Sequence, residues 1–446
     1  MSEITVVLIG AGSTVFTPGL LADLAASKVF DSATIRLVDL NEDAASTMAA
    51  LGRRLAAEGE SHLKVDAYVD RREALPGASL VATTIAVGGA DGWRVDLDVP
   101  LAHGIRQTVG DSVGPGGVLR ALRQVPELVA IGQDVAELAG DAWLVNYANP
   151  LTANVRGISG WAHPQVFGLC HGTMHSTSML AHQLGVPRDE LNVVWAGLNH
   201  LCWLLDVRHG RSDLYPRLRK QVAAALDCVA PGTGGPLAQP VTADLLELFG
   251  RYPAPGDRHV AEFFDWYLGG DAGQPDGSLP WGLQPGLDDT ISYIGEKSDL
   301  WDKLHAQAAG ELPLDAANDS QEAERLVAIA EALITGSELV ELAVNVPNQG
   351  KISNLPDEAV VEIPAVINAH GVTGLAVGPL PAGIAAVLSA RSQQQELTVQ
   401  AAITGSRELA LQALATDPLV PSPATARAVL DDAVAAHGSW LAAFAG

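Results

Sequence analysis

Residues 4–9, Ile-Thr-Val-Val-Leu-Ile, form an almost unbroken apolar run that stops at Gly10-Ala-Gly12-Ser13-Thr14. A short β-branched run bounded by glycine fits a strand covered on both faces, as strands of parallel sheets are. A parallel strand must be followed by a crossover, normally a helix. Leu20, Leu21, Leu24 and Ala25, at helical spacing within Pro18–Ser27, supply one. The pattern recurs, with strands predicted at Thr34–Leu40, Leu80–Ala86, Trp143–Tyr147 and Val166–Leu169. Leu119–Ala139 reads as a long helix interrupted by Pro126. Strands alternating with helices predict an α/β chain whose residues 1–195 form a Rossmann-like, doubly wound parallel sheet.

Beyond residue 195 the pattern changes. Val194–Val207 reads as strand, turn, strand, and residues 210–250 as helix broken by a Gly/Pro-rich stretch at 231–240. Residues 268–290 read as loop, 322–335 as an amphipathic helix, Val360–Ile367 as a strand and Pro381–Ala413 as one or two helices. Residues 196–446 are therefore expected to form a mixed α+β domain for substrate, metal and assembly. With 446 residues, 48% of them hydrophobic, the chain can bury two such cores. Its net charge of −25 argues against nucleic acid and anionic membrane surfaces as partners. Three cysteines form no disulfide framework, and the start of the chain has no targeting pattern, so the expected compartment is the cytoplasm.

In open α/β sheets, ligands bind outside the carboxyl ends of the strands. Gly10–Ser13, Asp39, Ala86–Gly89, Asn149 and Cys170 all fall at such ends. Gly10 and Gly12 let the backbone approach a pyrophosphate resting on the next helix. The third fingerprint position is Val15 rather than glycine. Asp39 closes the second strand, where an acid binds ribose hydroxyls and favours NAD over NADP. Gly10, Gly12, Ser13, Thr14, Asp39, Val87 and Gly88 are the expected dinucleotide contacts.

Cys170 lies in Phe-Gly-Leu-Cys-His (167–171) and His200 in Trp-Ala-Gly-Leu-Asn-His-Leu-Cys-Trp (195–203). A lone cysteine is more often a small buried hydrophobe, and a lone histidine a satisfied core residue. Together, a soft thiolate and an imidazole suit a divalent metal, and a metal beside a nicotinamide implies chemistry on a hydroxyl-bearing carbon.

Gly-Leu-Cys-His, Gly-Leu-Asn-His-x-x-Trp, Asn146-Tyr-Ala-Asn149-Pro150, the glycine-dense segment 111–120 and the stretch Asn345–Pro364 resemble family 4 glycoside hydrolases, in order along the whole chain. The first domain is also like that of the malate/lactate dehydrogenase superfamily. The family resemblance implies hydrolysis of a small glycoside with NAD+ as a recycled cofactor, which departs from the two-carboxylate scheme. It implies Mn2+, or another divalent metal, at Cys170 and His200 in an incomplete protein shell. The sugar would be oxidised at C3, deprotonated at C2, relieved of its C1 leaving group, hydrated and re-reduced, with no net redox change.

The same resemblance distributes the other roles. His171 follows the cysteine where phospho-sugar members carry Asp or Asn, so it points to an unphosphorylated hexoside (α-galactoside, α-glucoside or α-glucuronide) and is a candidate acid. Gly-Asp257-Arg258-His259 makes Asp257 the expected base, with Tyr252 the weaker candidate. Asp111 stands where the family has the longer glutamate. Asn149 is implied as a contact to the nicotinamide of the cofactor or to sugar hydroxyls, Arg94, Arg258 and His259 are further expected substrate contacts, and a homodimer or homotetramer is the expected assembly. The alternatives are a 6-phospho-glycosidase of the same family, a 2-hydroxy-acid dehydrogenase, and a non-catalytic NAD-binding protein.

Overall fold

The computed structural model describes residues 4–163, 165–227, 235–268, 279–315 and 325–445. The predicted helix break at 231–234, the loop at 269–278 and the helix start at 322–324 lie outside the described residues.

Six parallel strands come first: β1 (Thr5–Ile9), β2 (Thr34–Val38), β3 (Lys64–Tyr68), β4 (Leu80–Thr83), β5 (Trp143–Asn146) and β6 (Val166–Gly168). They lie side by side as β3-β2-β1-β4-β5-β6. This is the dinucleotide-fold order, with its reversal between β1 and β4. Alternate residues feed two cores. Val6, Leu8, Ile35 and Leu37 pack on one face, and Val7, Ile9, Val38 and Val81 on the other. The near-continuous apolar runs follow from that double burial.

The sheet continues past β6 without a break. β7 (Leu191–Leu198), β8 (Leu201–His209), β9 (Ser212–Asp213), β10 (Tyr252–Ala254), β11 (Leu339–Pro347), β12 (Val360–Asn368) and β13 (Gly371–Gly374) are antiparallel to their neighbours. Along the path β6-β11-β12-β7-β8-β10, β11 and β12 separate β6 from the β7–β8 hairpin, and the register Gly168–Asn345–Glu362–Gly197 puts the hairpin turn at the same end of the sheet as the carboxyl end of β6. Cys170 and His200, thirty positions apart in sequence, are brought to one end of the sheet by this arrangement.

Several local expectations differ from the structure: residues 286–290, expected as loop, begin the helix Gly286–Ala309, and the strand β11 (Leu339–Pro347) is absent from the predicted set. Helix Gly114–Leu138 runs straight through Pro126. Losing one N–H bond costs about 3 kcal/mol in an isolated helix; here the flanking Arg123, Gln124, Val125 and Leu128 are buried, and tertiary packing outweighs that cost. β3 has no counterpart among the predicted strands. It is the outer strand of the sheet, with Lys64, Asp66 and Ala67 exposed, so its sequence lacks the apolar run that marked the others.

Candidate active site

The β1 turn is built for close approach. Gly10 has φ +91°, and a Cβ there would stand 2.9 Å from the Ile85 nitrogen. Gly12 donates its N–H to Asp39 Oδ2 (2.7 Å), and a Cβ on Gly12 would stand 2.7 Å from that same oxygen. Asp39 also accepts from the Asn41 N–H (2.9 Å), so the acid at the end of β2 braces the glycine turn. Ser13 Oγ accepts from the Phe16 N–H at the head of helix Phe16–Ala26. The buried Thr14 hydroxyl has no hydrogen-bond partner among the described residues. An orphaned hydroxyl and a cradle that only glycine permits, both at the N-terminus of a helix, fit a dinucleotide phosphate. Val87 and Gly88 follow β4 beside this turn, with Gly88 at φ +82°.

The second half of the site gathers around Asp111. Its carboxylate accepts from Ser112 Oγ (2.7 Å) and from the Asn149 amide (2.8 Å). Ser112 Oγ is also 2.9 Å from His200 Nδ1. A hydroxyl has one proton, and Ser112 gives it to Asp111, so Nδ1–H of His200 must be the donor to Ser112. The neutral imidazole then carries its lone pair on Nε2, the form that binds a metal. Burial alone would raise the Asp111 carboxyl, but His200, Arg120 and His259 outweigh it and hold it below the usual range.

His200 occupies the two-residue turn between β7 and β8 at φ +65°. Left-handed backbone is uncommon for histidine and tends to persist where the surroundings enforce it. Its neighbour Asn199 donates to the buried Glu362 on β12 (2.9 Å), and Asn345 on β11 donates to the same oxygen (3.4 Å). Cys170 follows β6, with the Gly172 N–H 3.4 Å from Sγ. Burial, reinforced by the Glu362 charge, pushes its thiol up to about 12. A thiol so placed stays protonated until a cation displaces the proton. The His259 ring centroid is 4.1 Å from that of His200. Burial and the neighbouring His200 lower its pKa to about 3, so it is a neutral imidazole at physiological pH. Among the described residues, no set of three or more His, Cys, Asp or Glu side chains forms a complete metal cage. The donors at hand are one thiol and one oriented imidazole, which suits a metal that shares its shell with substrate.

The other predicted residues have definite places. His171 precedes helix Gly172–Leu184, its ring stacked near Phe16 (5.9 Å) and Tyr147 (6.4 Å), between the two halves of the site. Arg258 donates to the Thr108 carbonyl (3.0 Å), and burial lowers its pKa against the charges of Glu262 and Asp111. Asp257 accepts the Val241 and Thr242 N–H groups (3.1 and 2.7 Å) and thereby caps helix Pro240–Phe249. Burial raises its carboxyl against those bonds. Tyr252 is buried within β10, and burial raises its phenol. Arg94 is not drawn in: it lies on helix Gly89–Ala102, half-exposed and paired with Asp98 one turn on (3.2 Å).

Sequence reasoning did not assign roles to Ser112, Asn199, Glu262 or Glu362. Their available signal was an acid or hydroxyl inside a segment already singled out. Glu262 Oε1 accepts three successive N–H groups, from Thr108, Val109 and Gly110 (2.9, 2.8 and 2.8 Å), and so shapes the loop that carries Asp111. Burial pushes its carboxyl up to about 8 despite those donors. A folded-state pKa above the unfolded value means that stability present below about pH 4.5 is lost as pH rises through about 8. Thermal melts from pH 5 to 9 are expected to show this loss in the parent, with a flatter profile in Glu262→Gln, which keeps the acceptor oxygen without the titration.

Models described as family 4 glycosyl hydrolase and the family 4 glycosyl hydrolase C-terminal domain match residues 5–186 and 195–420. The chain is 30% identical over 445 residues to an alpha-galactosidase of Bacillus subtilis (strain 168), covering 99% of each. It is 32% identical over 449 residues to an alpha-glucosidase of Erwinia rhapontici, covering 98% of each. A solved 6-phospho-alpha-glucosidase from gut microorganisms, in complex with NAD and Mn2+, superposes with a TM-score of 0.80 at 21% identity, over 98% of this chain and 99% of that one. This last likeness is one of fold.

Proposed function

The chain belongs to family 4 of the glycosyl hydrolases, and from that membership we propose that it is an NAD+- and divalent-metal-dependent glycosidase of unphosphorylated hexosides: α-galactosides, α-glucosides or α-glucuronides. The observation that carries the proposal is the Asp111–Ser112–His200 relay, which leaves Nε2 of His200 unprotonated at the same end of the sheet as the Cys170 thiol. Cys170 and His200 hold the metal, Mn2+ by preference. Gly10, Gly12, Ser13, Thr14, Asp39, Val87 and Gly88 receive the dinucleotide. When bound, NAD+ supplies reversible hydride acceptance at a sugar carbon, and the divalent metal supplies Lewis-acid polarisation of the neighbouring oxygens.

The side chains do the rest. Asn149, Arg258 and His259 orient the sugar hydroxyls, and Asp111 keeps His200 in its metal-ready tautomer. Asp257 takes the C2 proton, burial having raised its carboxyl toward the range that a general base needs. Tyr252 is the weaker base because burial keeps its phenol neutral. His171, between Phe16 and Tyr147, protonates the leaving group. Residues 1–195 are proposed to carry the cofactor and 196–446 the metal turn and subunit contacts. A homodimer or homotetramer in the cytoplasm is proposed in turn. Leu248, Trp266 and Trp281 are exposed, and a second subunit commonly covers apolar surface of this kind. Among the described residues, no helix is long and apolar enough to cross a membrane.

The test is a panel of p-nitrophenyl α- and β-glycosides (gluco, galacto, glucurono and 6-phospho), with NAD+ and Mn2+ each supplied or withheld. Release on an unphosphorylated α-hexoside is expected only with both additives. In D2O the released sugar is expected to carry deuterium at C2. Release that is indifferent to NAD+ and metal, or product without C2 deuterium, would sink the mechanism.

The relay has its own consequence. Ser112→Ala is expected to weaken Mn2+ binding about 10–100-fold, the usual cost of losing the partner of a ligating histidine. Titration of the folded variant, followed by electron paramagnetic resonance, measures this. Unchanged affinity would show that His200 needs no such partner.

A further inference from the structure

The end of the chain reaches back to the loop that follows β4. Asp96, on helix Gly89–Ala102, is buried against Arg123 and His437. Its two oxygens accept Arg123 Nη1 and Nη2 (2.6 and 2.5 Å), and Oδ1 is also 3.0 Å from His437 Nε2. All three side chains are 1% exposed or less. The same Arg123 donates Nε to the Val87 carbonyl (2.9 Å). Its neighbour Gln124 brackets the loop, donating to the Ile85 carbonyl (2.7 Å) and accepting the Val87 N–H (2.8 Å).

Three residues past His437, Trp440 lies over Gly88. A Cβ built on Gly88 would stand 2.9 Å from Trp440 Cζ3. Trp440 is nevertheless 46% exposed, so one edge of its ring covers the loop and the rest faces outward. The loop in turn abuts the β1 turn, where Thr84 Oγ1 donates to the Gly10 carbonyl (2.8 Å). The contacts thus form one path: His437, Asp96, Arg123, Val87, with Trp440 closing over Gly88. A buried ion pair adds little net stability over apolar packing. What it supplies here is direction, because a guanidinium fork locked on Asp96 aims its Nε at a single carbonyl.

We infer that His437 and Trp440 are positioning residues of the dinucleotide site, so that the C-terminal helix and its last turn form part of cofactor binding. The inference rests on the NAD+ reading above. It goes beyond that reading by assigning a cofactor role to residues some 350 positions from the loop they hold.

Calorimetric titration of the full-length protein with NAD+, without substrate, tests it. Trp440→Ala is expected to raise the NAD+ Kd about tenfold, equivalent to about 1.4 kcal/mol. Its melting temperature should stay near that of the parent because the ring is half-exposed. Trp440→Phe is expected to restore most of the affinity. Glycoside KM at saturating NAD+ should be unchanged in Trp440→Ala, whereas general damage to the fold would move it. His437→Gln is expected to speed amide exchange at residues 85–89. Parent-like NAD+ affinity in folded Trp440→Ala would overturn the inference alone. Absence of NAD+ binding by the parent would overturn the functional reading with it.

Discussion

Cys170→Ser is expected to leave the protein folded, to strip it of metal and to lower glycoside turnover about a thousandfold. Serine replaces sulfur with a smaller oxygen at a position that is only partly exposed and where the sulfur accepts a long N–H···S bond from Gly172. The fold therefore has little to lose. The metal has much to lose: with one imidazole and one thiol as its protein donors, removal of the thiol halves the set. A serine hydroxyl gives up its proton far less readily than a thiol and is a poor substitute for soft sulfur. Lewis-acid stabilisation is worth several kcal/mol, and about 4 kcal/mol is about a thousandfold in rate. Metal content by plasma emission, melting temperature and turnover on the preferred aryl glycoside together decide the matter. A folded, metal-free and fully active Cys170→Ser would remove Cys170 from the metal site.

Asp96→Asn is expected to be the most destabilising conservative change in the N-terminal half, costing about 3–5 kcal/mol. The substitution preserves size but leaves the Arg123 cation buried without a counter-charge. The penalty is that of an unpaired buried charge rather than of a lost contact. A charge-free replacement, Asp96→Leu with Arg123→Met, is therefore expected to lose less than the single substitution, although it removes more hydrogen bonds. Denaturant midpoints of the three proteins measure this. A single variant as stable as the parent would mean that water or a neighbouring group already compensates Arg123.

Recognition of the chemistry from sequence depended on which residues sit at strand ends. Gly10, Gly12, Asp39, Asn149 and Cys170 could be placed because the apolar runs before them are short and distinct, and the parallel order observed among β1–β6 puts all of them on one edge. Asp257 was legible as an acid in a polar segment. That its carboxylate also caps helix Pro240–Phe249 was not, because a cap contributed by a residue after the helix depends on how the chain returns. Arg94 carries a charge suited to a sugar, but its helical register pairs it with Asp98 on the outer surface.

The sequence by itself therefore determined the class of the fold, the strand-end turns and the residue types available for metal and cofactor, since each depends on local periodicity or on glycine's lack of a side chain. Tertiary structure alone decided which of those residues meet. Ser112 lies 88 positions from His200, Glu262 about 150 from the loop it shapes, and His437 341 from Asp96. Their pairing follows from sheet order and helix packing, which bring distant segments to one edge and bury their polar atoms there. Once water is excluded, a buried donor must find a partner within the protein, and only the folded chain specifies which one it finds.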